Sequence, residues 1–447
     1  MLHNADMATA DQISPSAGIQ SVIKTWPTLN RKERLAVFAE VPRDLADDLF
    51  LSLSSRDQLE LLLDLPDGER RIWMRLLPPD DAVDLIQAAP ESRRALLFDL
   101  LDEVTHREVS ALLAYKQDQA GGLMSPRFAR LRPDMTIDEA IGYLRHQSAQ
   151  LETIYYSYAV DQEQHLLGVV SFRDLFSADR EKTVRDVMRT KFVSASEEMD
   201  QEAVARLFAE HHLMAIPILD SQQRIQGIVT VDDIVGVVER EAGEDIQKIG
   251  GSEALDQPYL EITFFKMVQK RGGWLAALFL GEMLTATAMG FFEAEIAKAV
   301  VLALFIPLII SSGGNSGSQA TTLVIRAMAL GEVTLGHWWR VVRREFFAGL
   351  VLGSMLGLIG LTRILLWQAA AGSYGQHYLL VALTVAFSLV GVVTFGTVAG
   401  SMLPFILRRV GVDPASASAP FVATLVDVTG LIIYFSIASV VMRGTLL

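Results

Sequence analysis

The 447-residue sequence has no cysteine, which excludes disulfides, thiolate metal centres and cysteine nucleophiles. Histidine is scarce, with eight in all, and after residue 270 only His337 and His377 occur. Neither stands in a His-Glu-x-x-His pair, so an intramembrane zinc hydrolase lacks its ligands. No Gly-Lys-Ser/Thr loop is present to serve an ATP-driven pump. Residues 1–20 show no basic start leading into an apolar run, so no secretory leader is expected there. Charge is in short supply too, but only in one half. Residues 271–447 hold 7 acids and 10 bases (10 − 7 = +3), whereas residues 1–270 hold 46 and 29 (29 − 46 = −17). A mean hydropathy of +0.30 with 21% charged residues is reconciled by that segregation. An acidic, water-soluble half precedes a membrane half, and the acidic half repels nucleic acid and attracts cations.

Five apolar runs follow Trp274, near 274–292, 297–325, 346–367, 378–407 and 419–442, each long enough for the roughly 20 residues of a crossing. With the acidic half in the cytoplasm, the inside flanks carry Lys270, Arg271, Arg340, Arg343, Arg344, Arg408 and Arg409. That agrees with the positive-inside rule and puts the C-terminus outside. The second run reads PLIISSGGNSGSQATT, where Gly313, Gly314 and Gly317 accompany Asn315, Ser316, Ser318 and Gln319. A broken helix is expected there, because freed backbone at membrane depth survives only in protein or along a wet path. Gly314, Asn315, Gly317 and Gln319 are therefore the pore-lining candidates. The isolated Gly391, Gly396 and Gly400 and Pro404 of the fourth run suit close helix packing instead.

Asp427, in APFVATLVDVTGLIIYF, is the sharpest residue. A carboxylate at membrane depth is costly unless hydrated, paired or metal-bound. Neither Thr424 nor Thr429 can neutralise it. Magnesium takes oxygen ligands, keeps much of its water and is held by one or two carboxylates, which suits one Asp per subunit brought together by symmetry. A proton-relay role for Asp427 is the alternative, and Glu282 in the first run is a weaker second acid.

The soluble half opens with short amphipathic helices over 30–118, punctuated by Pro42, Pro66, Pro78, Pro79 and Pro90 with acids just behind them. Stacked, they make a small superhelix. An internal duplication follows. DQEQHLLGVVSFRDLF from Asp161 and DSQQRIQGIVTVDDIV from Asp220 superpose Gly168 on Gly227, Ser171 on Thr230 and Asp174 on Asp233. Each copy reads as strand, turn, strand and a helix begun at Ser/Thr-x-x-Asp.

The two copies resemble a pair of CBS domains, whose Ser/Thr-x-x-Asp often holds the ribose of an adenine nucleotide. With GGNSGSQATT and RVGVDPASASAPFVATLVDVTG in the membrane half, the whole chain resembles the MgtE family of magnesium channels. The expected fold is a multidomain membrane protein: a tail (1–29), an α-helical superhelical N domain (30–125), an α+β tandem CBS pair (126–182 and 183–240), a connecting plug helix (241–272) and a five-helix, all-α transmembrane domain (273–447).

The resemblance implies a non-enzymatic homodimer in the bacterial plasma membrane that admits Mg2+ and is inhibited by cytoplasmic Mg2+. It implies that Asp427 holds the hydrated ion with help from the Ala423 carbonyl, and that Asp413 faces the cytoplasmic mouth. It makes Glu241, Glu244 and Asp245 metal-bridging acids of the plug. In the sensor, Asp48, Asp80 and Asp84 would meet Glu202 and Asp233 across shared ions, and Asp174 would hold the ribose of ATP as a regulatory ligand. His212 and Gly236 stand where some relatives carry acids, so one sensor site is expected to be weakened or shifted. The rival reading is a proton- or sodium-coupled exporter of divalent cations, Mg2+ or Co2+, that uses Asp427 as the exchanged carboxylate.

Overall fold

The computed structural model describes residues 18–260, 262–372 and 374–445. It divides into two compact units, one ending at Glu239 and the other beginning at Arg240.

Among the described residues, the first unit begins with eight short helices: α1 (Gly18–Thr25), α2 (Arg31–Glu40), α3 (Arg43–Ser52), α4 (Ser55–Asp64), α5 (Asp67–Met74), α6 (Pro79–Ala88), α7 (Glu91–Phe98) and α8 (Glu103–Leu112). Local sequence sets their starts. Asn30 and Glu33 form a capping box, and the side chains of Ser54 and Asp102 accept first-turn amides. Pro42, Pro66, Pro78 and Pro90 precede α3, α5, α6 and α7. Trp26, Phe38, Phe50, Met74 and Leu97 bury into one core that also takes in Phe208, Ile216 and Ile218 of the second repeat. The expected tail is corrected by the same core. Residues 1–17 lie outside the described residues, but 18–29 form a helix and a 3-10 turn that bury Val22 and Trp26. Their apolar spacing is helical and has a hydrophobic partner to meet.

After α9 (Ala120–Leu123), the duplication builds two sheets. The first repeat contains β1 (Ala129–Leu131), α10 (Ile137–Gln147), β2 (Tyr156–Val160), β3 (Leu166–Ser171) and α11 (Phe172–Ser177). The second contains α12 (Val184–Val187), β4 (Ala195–Ser196), α13 (Gln201–His211), β5 (Ala215–Leu219), β6 (Ile225–Thr230) and α14 (Val231–Ile249). Each sheet has one parallel and one antiparallel pairing. Val160 pairs with Leu166 and Leu219 with Ile225, 59 positions on in each strand (219 − 160 and 225 − 166). Both registers slip at the same bulge. Gly168 and Gly227 also correspond: a Cβ would come within 2.9 Å of Met188 on the first and 2.8 Å of Met124 on the second. His212 ends α13 with φ +51°, a left-handed cap. The connecting helix differs from expectation. It starts at Val231 inside the second repeat, directly after β6, and ends at Ile249.

In the second unit, α15 (Phe264–Phe291) is followed by α16 (Glu293–Lys298), α17 (Ile306–Ala329), α18 (Trp338–Ala371), α19 (Tyr378–Arg409) and α20 (Ala419–Val441). Among the described residues, five helices are long and apolar enough to cross a membrane. The expected break in the second run is absent, because α17 is continuous through Gly313, Gly314 and Gly317. Its glycines serve packing. A Cβ on Gly317 would lie 2.7 Å from Val422 and 2.9 Å from the Gly396 carbonyl. In α18, Gly349, Gly353 and Gly357 let Thr394, Val390 and Ala386 of α19 approach equally closely. Pro404, inside α19, cannot donate to the Gly400 carbonyl one turn earlier. The Thr321 hydroxyl of α17 lies 2.8 Å from that carbonyl and 2.9 Å from the Gly317 carbonyl of its own helix, so its one proton is shared between them.

Candidate ion sites and nucleotide pocket

Asp427 lies midway along α20, half-buried. α17 and α20 run antiparallel: the Ser318 hydroxyl donates to the Ala419 carbonyl at 3.2 Å, Gly314 faces Ala423, and Gly313 faces Val426. Asp427 therefore comes level with the Ile310–Ser311 turn. From Ser311 an exposed polar stripe continues through Asn315, Gln319 and Thr322, all on one helical face. The lining candidates thus separate. Asn315 and Gln319 are exposed on the stripe, whereas Gly314 and Gly317 are buried in helix contacts, which corrects their assignment as lining residues. Ala423 sits in unbroken helix, where its carbonyl accepts from the amide four residues on. Thr424 and Thr429 turn their hydroxyls to the Pro420 and Leu425 carbonyls, away from Asp427. Glu282 of α15 meets Asp427 side chain to side chain, beside a contact of Gly281 with Thr424. Two facing carboxylates repel unless a proton or a cation stands between them.

A second set of acids gathers within the first unit. Asp80, at the start of α6, is only 8% exposed, and its Oδ1 has no hydrogen-bond partner. Burial, reinforced by Glu152, Asp233 and Asp81, holds its pKa well above the usual carboxylate range. Asp81 is pushed to about 6 by burial, Glu152, Asp84 and Asp232. Asp233 is pushed to about 7, chiefly by burial and with help from Asp232, Glu152 and Asp81, although the Thr230 hydroxyl donates to it at 2.6 Å. Burial also raises Glu152, against the opposing effect of the Ser125 hydroxyl 3.0 Å away.

Sequence reasoning named Asp80, Asp84 and Asp233 but missed Asp81, Glu152 and Asp232, which no periodicity marks. Asp48 is exposed on α3, and Glu202 stands in the first turn of α13. Among the described residues no three acidic or histidine side chains converge closely enough to ligate a bare ion. A hydrated ion, which keeps its water between itself and the carboxylates, makes no such demand.

In the second unit, α14 delivers Glu244, Asp245 and Lys248 to the α19–α20 loop. Lys248 Nζ lies 2.6 Å from Asp413 Oδ2 and 2.5 Å from Glu244 Oε1. Asp413 Oδ1 accepts the Ala415 amide at 2.9 Å. Asp245 is pushed to about 6 by burial, then by Asp413, with Glu241 and Glu244 adding to it.

A cavity of about 990 Å³ lies between the two repeats, lined by Tyr155, Tyr156, Phe172 and Asp174 of the first and by Arg189, Lys191 and His211 of the second, among others. Ser171 donates to Asp174 at 2.7 Å and Arg189 reaches it at 3.2 Å. Burial works to raise the Asp174 pKa, but those two donors outweigh it and hold the carboxyl below its usual range. Aromatic walls, one fixed carboxylate and a basic rim are the features a nucleotide needs for base, ribose and phosphates. The equivalent Thr230–Asp233 position in the second repeat belongs to the acidic set.

Three family models match: the MgtE intracellular N domain over residues 18–118, CBS domains over 120–181 and 184–240, and a divalent cation transporter domain over 306–437. The magnesium transporter MgtE of Thermus thermophilus is 38% identical over 99% of this chain and 97% of its own. That of Bacillus subtilis is 31% identical over 91% of this chain and 88% of its own. The crystal structure of the cytosolic domain of the Mg2+ channel MgtE in complex with ATP shares 37% identity over 52% of this chain and 92% of that chain, with a TM-score of 0.47. With relatives alike over nearly its whole length and five helices able to span a bilayer, the chain belongs to the MgtE family and is a multi-pass membrane protein.

Proposed function

We propose that this chain forms a channel that admits Mg2+ through the membrane and closes when Mg2+ accumulates on the side of its acidic domains. The carrying observation is the Asp427 carboxylate level with the start of the exposed polar stripe Ser311–Asn315–Gln319 on α17. Such a stripe is costly in hydrocarbon and belongs against water or protein. A second copy related by a twofold axis encloses both stripes around one path and supplies two Asp427 carboxylates to a hydrated ion. The relatives named as magnesium transporters support magnesium as the cargo. The basic flanks support a cytoplasmic first unit and an external C-terminus.

Regulation follows from charge. Asp80, Asp81, Glu152, Asp232 and Asp233 repel one another, and a hydrated dication among them holds the helical domain to the second repeat. The unpartnered Asp80 Oδ1 fits that role. The acids at the Asp413 loop give α14 a second cation-dependent contact and make it the plug. ATP in the Asp174 pocket is the regulatory nucleotide, supported by its cavity and by the ATP-bound relative.

Flux into liposomes tests the channel. Asp427→Asn should abolish Mg2+ flux in a protein that still assembles, and wild-type flux should follow voltage without a proton or sodium gradient. Full flux in Asp427→Asn would remove the pore assignment, and a strict need for a counter-ion gradient would establish the exporter.

A further inference from the structure

We propose that Lys248 is a tethered counter-ion seated among Glu244, Asp245 and Asp413, and that it makes this site answer to divalent rather than monovalent cations. This rests on the reading of α14 as a cation-dependent plug and adds the residue that sets its threshold and selectivity.

The site already contains a cation. The Lys248 ammonium bridges Glu244, one turn back on its own helix, and Asp413, a residue 165 positions away that is oriented by its bond to the Ala415 amide. Lys248 also lies in the last turn of α14, where the helix dipole favours positive charge. Acids outnumber the ammonium, since Glu244 and Asp413 both bond it and Asp245 stands within its field.

A free ion entering here must displace the ammonium. A monovalent ion brings the same charge and surrenders its translational freedom, which the tethered ammonium does not have to give up. A divalent ion brings one charge more, and the freed ammonium can swing into water on its flexible stem. Exchange therefore favours dications, at a concentration higher than an undefended acidic site would need. Seating of α14 does not depend on the ammonium alone, because Ile249 packs against the cluster of Ile325, Ala415 and Ala417.

The test uses the full-length protein in liposomes, with Mg2+ varied on the side of the acidic domains. In Lys248→Met, the half-inhibiting Mg2+ concentration should fall about fivefold or more, as one competing charge is removed. Replacing a bulky organic cation with about 0.3 M K+ should then raise that concentration several-fold in Lys248→Met but little in wild type. Lys248→Arg should behave as wild type, and Lys248→Met combined with Asp413→Asn should behave as Asp413→Asn alone. A wild type that closes on Mg2+ while Lys248→Met closes at the same or a higher concentration overturns this inference alone. A wild type indifferent to Mg2+ overturns the sensor reading and the inference with it.

Discussion

The Thr321 hydroxyl of α17 lies 2.8 Å from the Gly400 carbonyl oxygen of α19, the one carbonyl that Pro404 leaves without a helical donor. Both residues are buried, so no water can replace the bond. Thr321→Val should therefore destabilise the membrane unit by about 1 kcal/mol, the usual scale of a buried interhelical hydrogen bond. Pro404→Ala restores an amide to the same carbonyl. In the double variant the Thr321→Val loss should shrink by half or more, as read from unfolding in detergent. Additive losses would mean that the hydroxyl does not compensate for the proline.

The acids of the first unit predict a pH dependence with a definite sign. Asp233 and Asp81 have folded pKa values near 7 and 6, above the ordinary 3.8. Raised carboxyl pKa values give stability that is complete below the unfolded value and lost as pH rises through the folded one. In chelator, the first unit should melt at least roughly 5 °C lower at pH 8 than at pH 5.5. Mg2+ should recover most of that difference at pH 8 and add little at pH 5.5, where protons already quench the repulsion. Thermal unfolding followed by proteolysis of the first unit measures both. Greater stability at pH 8 in chelator would contradict the packing of these carboxyls.

Much of this architecture could be read from residues. The five apolar runs became five helices, and the repeat that aligned Ser171 with Thr230 produced two sheets with the same bulge. What stayed hidden depended on partners distant in sequence. Glu152 is an ordinary surface-type acid until α6 packs over it, and Val22 and Trp26 looked like tail until a core received them. The glycines of α17 suggest a break in isolation, but between membrane helices their missing side chains permit contact without one. Register alone told Asn315 from Gly317, two residues apart and on different faces.

The pocket between the repeats yields a separable prediction. Asp174 is kept ionised by Ser171 and Arg189, a state suited to accepting ribose hydroxyls. Asp174→Ala should weaken ATP binding about tenfold or more, on the scale of a lost hydrogen bond to a charged group. Mg2+ flux in the absence of nucleotide should stay as in wild type. Calorimetric titration of the purified protein checks the first point and liposome flux the second. Undiminished ATP affinity would move the nucleotide elsewhere.

The polar stripe makes the last prediction, because lining and packing residues alternate along α17. Asn315 is exposed beside the buried Gly314 and Gly317. Asn315→Leu should leave folding intact, since Leu gains an apolar surrounding wherever lipid is the neighbour, yet cut flux at least tenfold if the stripe borders the ion's path. Gly317→Leu should instead prevent assembly, since its first side-chain atom already collides with Val422 and Gly396. The absence of cysteine from the chain gives a direct reading of the second copy. In Asn315→Cys the only thiols are at this position, and mild oxidation should produce a covalent dimer if two copies bring their Cα atoms within about 7 Å. A dimer cross-linked there should also lose conductance, because the bridge lies across the path. Normal flux in Asn315→Leu, with no cross-linking at this or any other stripe position, would place the stripe against something other than a twofold pore.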